Sequence, residues 1–544
     1  MPALAMLFGV AIFLFWWRCY PQALSYREQY QLFLFTPDYF FNALSIAGGL
    51  ADYLGEFLTQ FFILPWAGAL IVAVTLLTLQ SLVWRSMNAG GAALFPLSFI
   101  PSLMLIWLAS DESMLFSLPV AIVLTMAVAL LMRGHCAWAD IIVIPALYWL
   151  MGPMAWTYVL LRNVFDVKNK RLVLLGLLYL PLIQLIALHT LLQQWPLQAV
   201  MLGLNYSMVP LHHPAVMIAL PFVIALLAAI GAWAERRNNH PSATAKASQA
   251  RGSKLRVPAF LLSLAACIML GIIGVKAYDK DRYELIMQDY LVRWERWDDI
   301  IRRAERYQVR TPFSSVCINL ALSQQRQLAD RMFDFYQSGT DALIMPRVRD
   351  LTSMLPTAEA YWRLGMVNAA QRYMFDTQES ILNGKKSGRC TRRIAECMLV
   401  NGHYKAAAKQ ISWLKKSLFY RPWAEEAERL LGNEAAINAH PVYGRLRQLR
   451  YKKNYLFSYD EIDKMLGLLY VNNNDNLMAL DYFMGQLLLK GQLQAFMQYL
   501  PMAQQQGGYR RMPLGYQDAM YCIQRNGAVQ GSPYREYVRQ QTGQ

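Results

Sequence analysis

Three carboxylates and two concentrations of cations are the residues of this chain whose types and spacing could do chemistry. Asp38, Asp52 and Glu56 lie between Cys19 and Trp66. Asp52, Glu56 and Gln60 stand at i, i+4 and i+8, which puts them on one helix face opposite Leu54, Phe57, Leu58 and Phe61. Two carboxylates one turn apart repel unless they meet water, a cation or a donor on a substrate. Such a pair could act as a general base or hold a metal–phosphate group, and a divalent metal belongs to that reading alone. The plain alternative is an interfacial helix with a solvated polar face. Asp38 follows Thr36-Pro37, a helix-start pattern that also accounts for it structurally. The cations are Lys385, Lys386, Arg389, Arg392 and Arg393, then Arg445, Arg447, Arg450, Lys452 and Lys453. They could bind an anion or simply face water.

The elements that must position these groups live in two solvents. With 56% hydrophobic residues over 544, the chain is too apolar to be soluble throughout. A bilayer crossing needs roughly 20 apolar residues. Runs of that kind fall at 2–17, 67–84, 93–109, 114–132, 172–190, 214–234 and 258–277. The stretch 141–165 is apolar but broken by Pro145 and Gly152-Pro153, and is too short for two crossings. Cytoplasmic loops retain Lys and Arg. Twelve of the 15 in the first 278 residues share one side if the N-terminus is cytoplasmic and 141–165 enters and leaves by the same face.

The expectation is therefore an all-α chain: a polytopic bundle over 1–277 with about seven spans and a re-entrant segment, then an extracytoplasmic helical domain over 278–544. The first run has no basic leader and no cleavage site near Cys19, so it reads as a retained span. The basic, Ser- and Ala-rich segment 235–257 reads as a flexible cytoplasmic linker against anionic headgroups. His189, His212 and His213 fall near the outer ends of two spans, beside Gln193 and Gln194, with no carboxylate near them in sequence. Asp140 and Arg162 bound the broken segment and are expected at its cytoplasmic edge.

Beyond Tyr278 the apolar residues recur at helical spacing. Gly365, Val367 and Ala370 recur as Gly402, Tyr404 and Ala407, and as Gly491, Leu493 and Phe496. A glycine ends one helix, the next large residue packs back, and a small residue admits the second helix closely. The pattern resembles a degenerate tetratricopeptide (TPR) array, whose hairpins serve association. The region carries 37 Lys and Arg against 27 Asp and Glu. Outside the cytoplasm that charge suits an anionic glycan, lipid phosphate or envelope protein, and argues against nucleic acid. Cys317, Cys390, Cys397 and Cys522 form no CxxC pair and read as buried thiols.

The first loop, through Tyr26, Glu28-Gln29, Leu32–Thr36, Gly48-Gly49-Leu50 and Gly55–Phe61, resembles a family of bacterial integral-membrane proteins of unknown function. That resemblance implies a multi-span half with a repeat-like tail in a bacterial inner membrane. The layout is also similar to GT-C type glycosyltransferases acting on lipid-linked sugars, which place a catalytic acid in the first external loop. That similarity makes Asp38, Asp52 and Glu56 the residues to test. No P-loop, Rossmann fingerprint, G-x-S-x-G elbow, HExxH or zinc spacing occurs, which argues against transport ATPases, soluble hydrolases and metalloproteases. Two functions remain: a non-enzymatic envelope binding protein, and a transferase at the outer face.

Overall fold

Proline and glycine decide where the helices of the membrane half begin and break. The computed structural model describes residues 2–87, 92–165, 170–190, 206–239, 245–381, 384–453, 459–524 and 531–542. Gln193 and Gln194 lie outside the described residues. Within them every regular element is helical, apart from one antiparallel bridge between Met114 and Ser207. The chain divides into two compact units, Met1–Lys280 and Asp281–Gln544.

In the first unit α1 (Pro2–Leu14) ends in a π turn at Phe15–Cys19, and Pro21 opens α2 (Pro21–Gln29). Pro37 opens α3 (Pro37–Leu44), with the Thr36 hydroxyl accepting from the Tyr39 N–H at 3.3 Å. Then come α4 (Gly49–Thr59) and the long α5 (Pro65–Ser86). The run expected at 93–109 is split: Pro96 and Pro101 remove backbone donors, and a 3-10 stretch, Ala92–Phe99, precedes α6 (Ile100–Leu108). After α7 (Ser117–Leu131), the broken segment forms α8 (Asp140–Met151) and α9 (Ala155–Phe165), followed by α10 (Lys170–Thr190).

Among the described residues four helices are long and apolar enough to cross a bilayer, Pro2–Cys19, Pro65–Ser86, Asp140–Phe165 and Pro214–Arg236, or five if the bent pair Phe260–Lys276 and Lys280–Arg293 counts as one. The third is not straight. Arg162 Nε lies 3.1 Å from Asp140 Oδ2, and the Tyr158 hydroxyl bonds the same carboxylate. A straight helix would hold positions 140 and 162 about 33 Å apart. So α8 and α9 fold back on each other at Gly152-Pro153, each arm reaching under 20 Å or so, against a hydrocarbon core of about 30 Å. The segment expected as a flexible linker is helical from Ala245, within the helix Ala245–Lys276. Its alanines, lysines and glutamine are strong helix formers, and that propensity prevails over the lack of apolar periodicity.

In the second unit the three glycine signatures become three helical hairpins. The first joins Met354–Leu364 to Val367–Glu379, the second Gly388–Asn401 to Tyr404–Leu414, the third Leu477–Leu489 to Leu493–Gln506. Gly365 and Gly402 are left-handed caps, and Ala370, Ala407 and Phe496 are fully buried where the arms meet. The protein is thus a membrane-embedded helical bundle with a large soluble all-helical region.

Candidate functional site

The first-loop acids meet different fates. Asp38 sits exposed in the first turn of α3, where its charge favours the helix N-terminus. Glu56 is turned into the bundle and is only 6% exposed, accepting a bond from the Tyr39 hydroxyl. Gln60 is buried beside it in sequence, while Asp52 is half-buried. The polar face of α4 therefore packs inward instead of facing water. Gly55 lets α4 lie against α7 so closely that a Cβ there would stand 2.6 Å from the Ser117 nitrogen. Asp52, for its part, contributes field at Tyr206, whose phenol is raised chiefly by burial.

Tertiary contacts pair charges of the membrane half that lie far apart in sequence. His212 does have a carboxylate: its N–H and Nδ1 lie 2.7 and 2.8 Å from Asp111 Oδ2, across 101 positions. Burial opposes ionisation of Asp111, but the bonds from Ser113 and His212 hold its carboxyl below the usual range. Asp140 and Arg162 form a buried ion pair, with Arg162 1% exposed and its other donors on the Met132 and His135 carbonyls just past α7. Among the described residues no group of three or more His, Cys, Asp or Glu could hold a metal ion.

In the soluble region the two cation concentrations part company. The first is consumed internally. Arg389 is buried against Asp289 at 2.7 Å, and Arg393 bridges Glu359 at 2.8 Å and Glu396. Arg392 also pairs with Glu396, and the Lys386 ammonium stands 3.8 Å over the Trp413 ring; Lys385 is half-buried. Burial would suppress the Arg389 and Arg393 charges, but Asp289 and Glu359 raise both guanidiniums above their usual range. These residues hold helices together and present no shared anion surface.

The second concentration opens onto a cavity of about 480 Å³ at the turn end of the first two hairpins. Five cations line it, Arg347, Arg372, Arg450, Lys452 and Lys453, and no Asp or Glu among the described residues does. Local sequence explains how they gather. Gly365 is left-handed at φ 84°, and a Cβ there would stand 2.9 Å from the Leu449 Cβ. The missing side chain lets the helix Tyr443–Leu449 end directly on the first hairpin turn, delivering Arg450 to it. Arg450 Nη1 then caps the second hairpin, donating to the Val400 carbonyl at 3.2 Å and Asn401 Oδ1 at 2.9 Å. Asn401 in turn donates to Asn368 at 2.7 Å. Arg372 faces in from the second helix of the first hairpin, and Arg347 is steadied by Asp376 at 3.3 Å.

Arg447 and Arg450 form an instructive pair. Burial depresses both, but Tyr404 and Glu434 more than compensate at Arg447. Arg450 stays depressed, by burial first and by the Arg447 charge second. It donates to two neutral oxygens, and its Nε and Nη2 bond nothing among the described residues. Arg445 is exposed. The sequence marked Arg450, Lys452 and Lys453 but missed Arg347 and Arg372, which lie some 80 to 100 positions away and join them only through the hairpin turns.

The model of a family of unknown function, DUF6057, matches residues 1–544. No curated protein and no solved structure matches the chain.

Proposed function

The chain belongs to that family of unknown function, and we propose that it is a membrane-anchored binding protein of a bacterial cell envelope, whose soluble region takes an anionic ligand. In this reading the bundle sits in the inner membrane with its N-terminus in the cytoplasm and α8–α9 as a re-entrant hairpin. The region from 278 onward lies outside, its hairpins forming a TPR-like array that meets an anionic glycan, lipid phosphate or envelope protein. One observation carries the binding assignment: five cations converge on a small-molecule-sized cavity without a lining carboxylate. Cations confined together repel one another, and a surface that serves only solubility has no reason to confine them.

The test is calorimetric titration of full-length protein in nanodiscs with inorganic pyrophosphate and with an oligogalacturonate. At least one should bind, with affinity falling as salt rises. Combined Arg450→Ala, Lys452→Ala and Lys453→Ala should weaken it at least about tenfold, about 1.4 kcal/mol. No binding by either anion, or binding indifferent to the triple substitution, rejects the assignment.

A transferase at the outer face is a second reading, favoured by the inward turn of Glu56 and its bond to Tyr39. It requires Glu56→Gln to abolish turnover of a lipid-linked sugar while leaving thermal unfolding near that of the parent. A variant that keeps full turnover removes Glu56 from that role.

A further inference from the structure

The cations of the cavity stand on two walls. Arg450, Lys452 and Lys453 follow the helix Tyr443–Leu449, whereas Arg372 belongs to the first hairpin and Arg347 is tied to that hairpin by Asp376. Charge counting then limits the ligand. Asp376, which also stands 3.9 Å from Arg349, offsets at most one of the five, leaving about four positive charges to be met. A phosphate ester brings roughly 1.5 to 2 negative charges near neutral pH. One phosphate, or a dicarboxylate at about 2, leaves half the field uncompensated; two phosphates match it.

Geometry adds a second constraint. Nη1 of Arg450 is occupied by Val400 and Asn401, which fixes the guanidinium plane. Nε and Nη2, the two donors on one edge of the fork, have no bond among the described residues. That edge matches two oxygens of one phosphate. The rest of the lining mixes neutral polar side chains, Asn368, Asn401, Tyr451 and Tyr459, with apolar ones, Met366, Val367, Met465 and Leu469, which suits a body with both hydroxyl and carbon faces, as a sugar ring has. At about 480 Å³ the space fits a single small molecule.

Resting on the anion-binding reading above, we infer that this cavity is a site for a doubly phosphorylated, sugar-sized ligand, with Arg450, Lys452 and Lys453 gripping one phosphate and Arg347 and Arg372 the other. Such a headgroup can arrive free in solution or at the end of a lipid, and the chemistry recognised is the same.

Fructose 1,6-bisphosphate, fructose 6-phosphate, pyrophosphate and fructose are the probes, titrated into full-length protein in phosphatidylcholine nanodiscs. The bisphosphate should bind at least tenfold more tightly than the monophosphate, and fructose should not bind. Arg372→Ala with Arg347→Ala should erase that advantage, weakening the bisphosphate at least tenfold more than the monophosphate; Arg450→Ala should weaken both sugar phosphates. Thermal unfolding without ligand checks that each variant is folded, and Arg450→Lys, which keeps charge but loses the fork, covers a misfolded alanine variant. If pyrophosphate binds but mono- and bisphosphate bind equally, the two-wall assignment falls while the anion reading stands. If no anion binds, both fall. Repeating the titration in nanodiscs holding phosphatidylinositol 4,5-bisphosphate separates the sources. A weaker apparent affinity for the soluble ligand, lost in Arg450→Ala, identifies a lipid-borne occupant; an unchanged one identifies a soluble occupant.

Discussion

Arg27 of the membrane unit and Arg389 of the soluble unit are both buried, and the first is answered by backbone carbonyls, the second by a carboxylate. Arg27, 5% exposed, donates to the carbonyls of Ala109 at 2.6 Å and Asp111 at 3.1 Å, just past the end of α6. Arg162 does the same for Met132 at 2.9 Å and His135 at 2.6 Å, just past α7, while pairing with Asp140. A helix leaves its last carbonyls without partners. In hydrocarbon, water cannot supply the missing donors. An arginine brought from a neighbouring segment can supply several at once. In the soluble unit Gly365 and Gly402 close helix ends as left-handed caps, the buried Arg389 meets Asp289 and the half-buried Arg393 meets Glu359 and Glu396, while the exposed Arg326 and the half-buried Arg450 donate to the carbonyls of Gly507 and Val400.

Glycine meets two demands, close approach and a left-handed backbone, and each arises in both units. Gly55 and Gly231 of the membrane unit permit close approach; a Cβ at Gly231 would meet the Met87 carbonyl oxygen at 2.0 Å. Gly491 in the soluble unit has open space around it and is needed for its φ of 67°. Gly365 of the soluble unit meets both demands at once, with φ 84° and a Cβ position 2.9 Å from the Leu449 Cβ.

The sharpest way to break this contrast is Arg389→Met. It should cost about 3–5 kcal/mol by stranding Asp289, and adding Asp289→Leu should recover most of that. Arg27→Met should cost about 1–3 kcal/mol for a carbonyl left without a donor, with no carboxylate whose removal rescues it. Unfolding followed by denaturant titration in detergent checks both; rescue at Arg27 by deleting an acid would end the distinction.

The pH response of the soluble unit is next in size. Burial pushes Asp481 up to about 6 against an ordinary 3.8, with Arg326 and Tyr509 only partly restoring it. A carboxyl raised by folding holds its proton more tightly in the folded state. Its contribution is present below about pH 4 and is lost as pH rises through about 6, by roughly 3 kcal/mol. Stability measured across that window should fall in the parent relative to Asp481→Asn, and parallel curves would mean the carboxyl is not raised.

Gly231→Ala should cost about 1–3 kcal/mol through overpacking against the Met87 backbone. Gly491→Ala should cost about 1–2 kcal/mol, the penalty of the left-handed region alone. Thermal shifts of the two, with Gly491→Asn recovering part of the loss and Gly231→Asn recovering none, separate crowding from backbone conformation.

Periodicity alone made the hairpins legible: Gly365, Gly402 and Gly491 mark their turns because a left-handed cap has few residues to choose from. The α4 stripe was legible as a helix but not in orientation, since a bundle can bury a polar face when Tyr39 is there to meet Glu56. Hydropathy could not show α8–α9 turning back, because a doubled arm and a straight span have the same composition. That expectation came instead from the breaks at Pro145 and Gly152-Pro153 and the placement of the basic residues, and the Arg162–Asp140 contact brings the two arms together.

By itself the sequence determined that this chain is all helical, that its first half is made for a bilayer and its second for water, and where several helices start and stop. Those are local matters, set by hydropathy, proline, glycine and capping residues within one or two turns. Only tertiary structure decided which charges are spent and which are left over. Arg389 and Arg450 look alike in the chain; one is buried against Asp289 and the other lines a cavity. The physical reason is distance: an ion pair is fixed by separations of a few ångströms, and Asp289 stands 100 positions from its arginine.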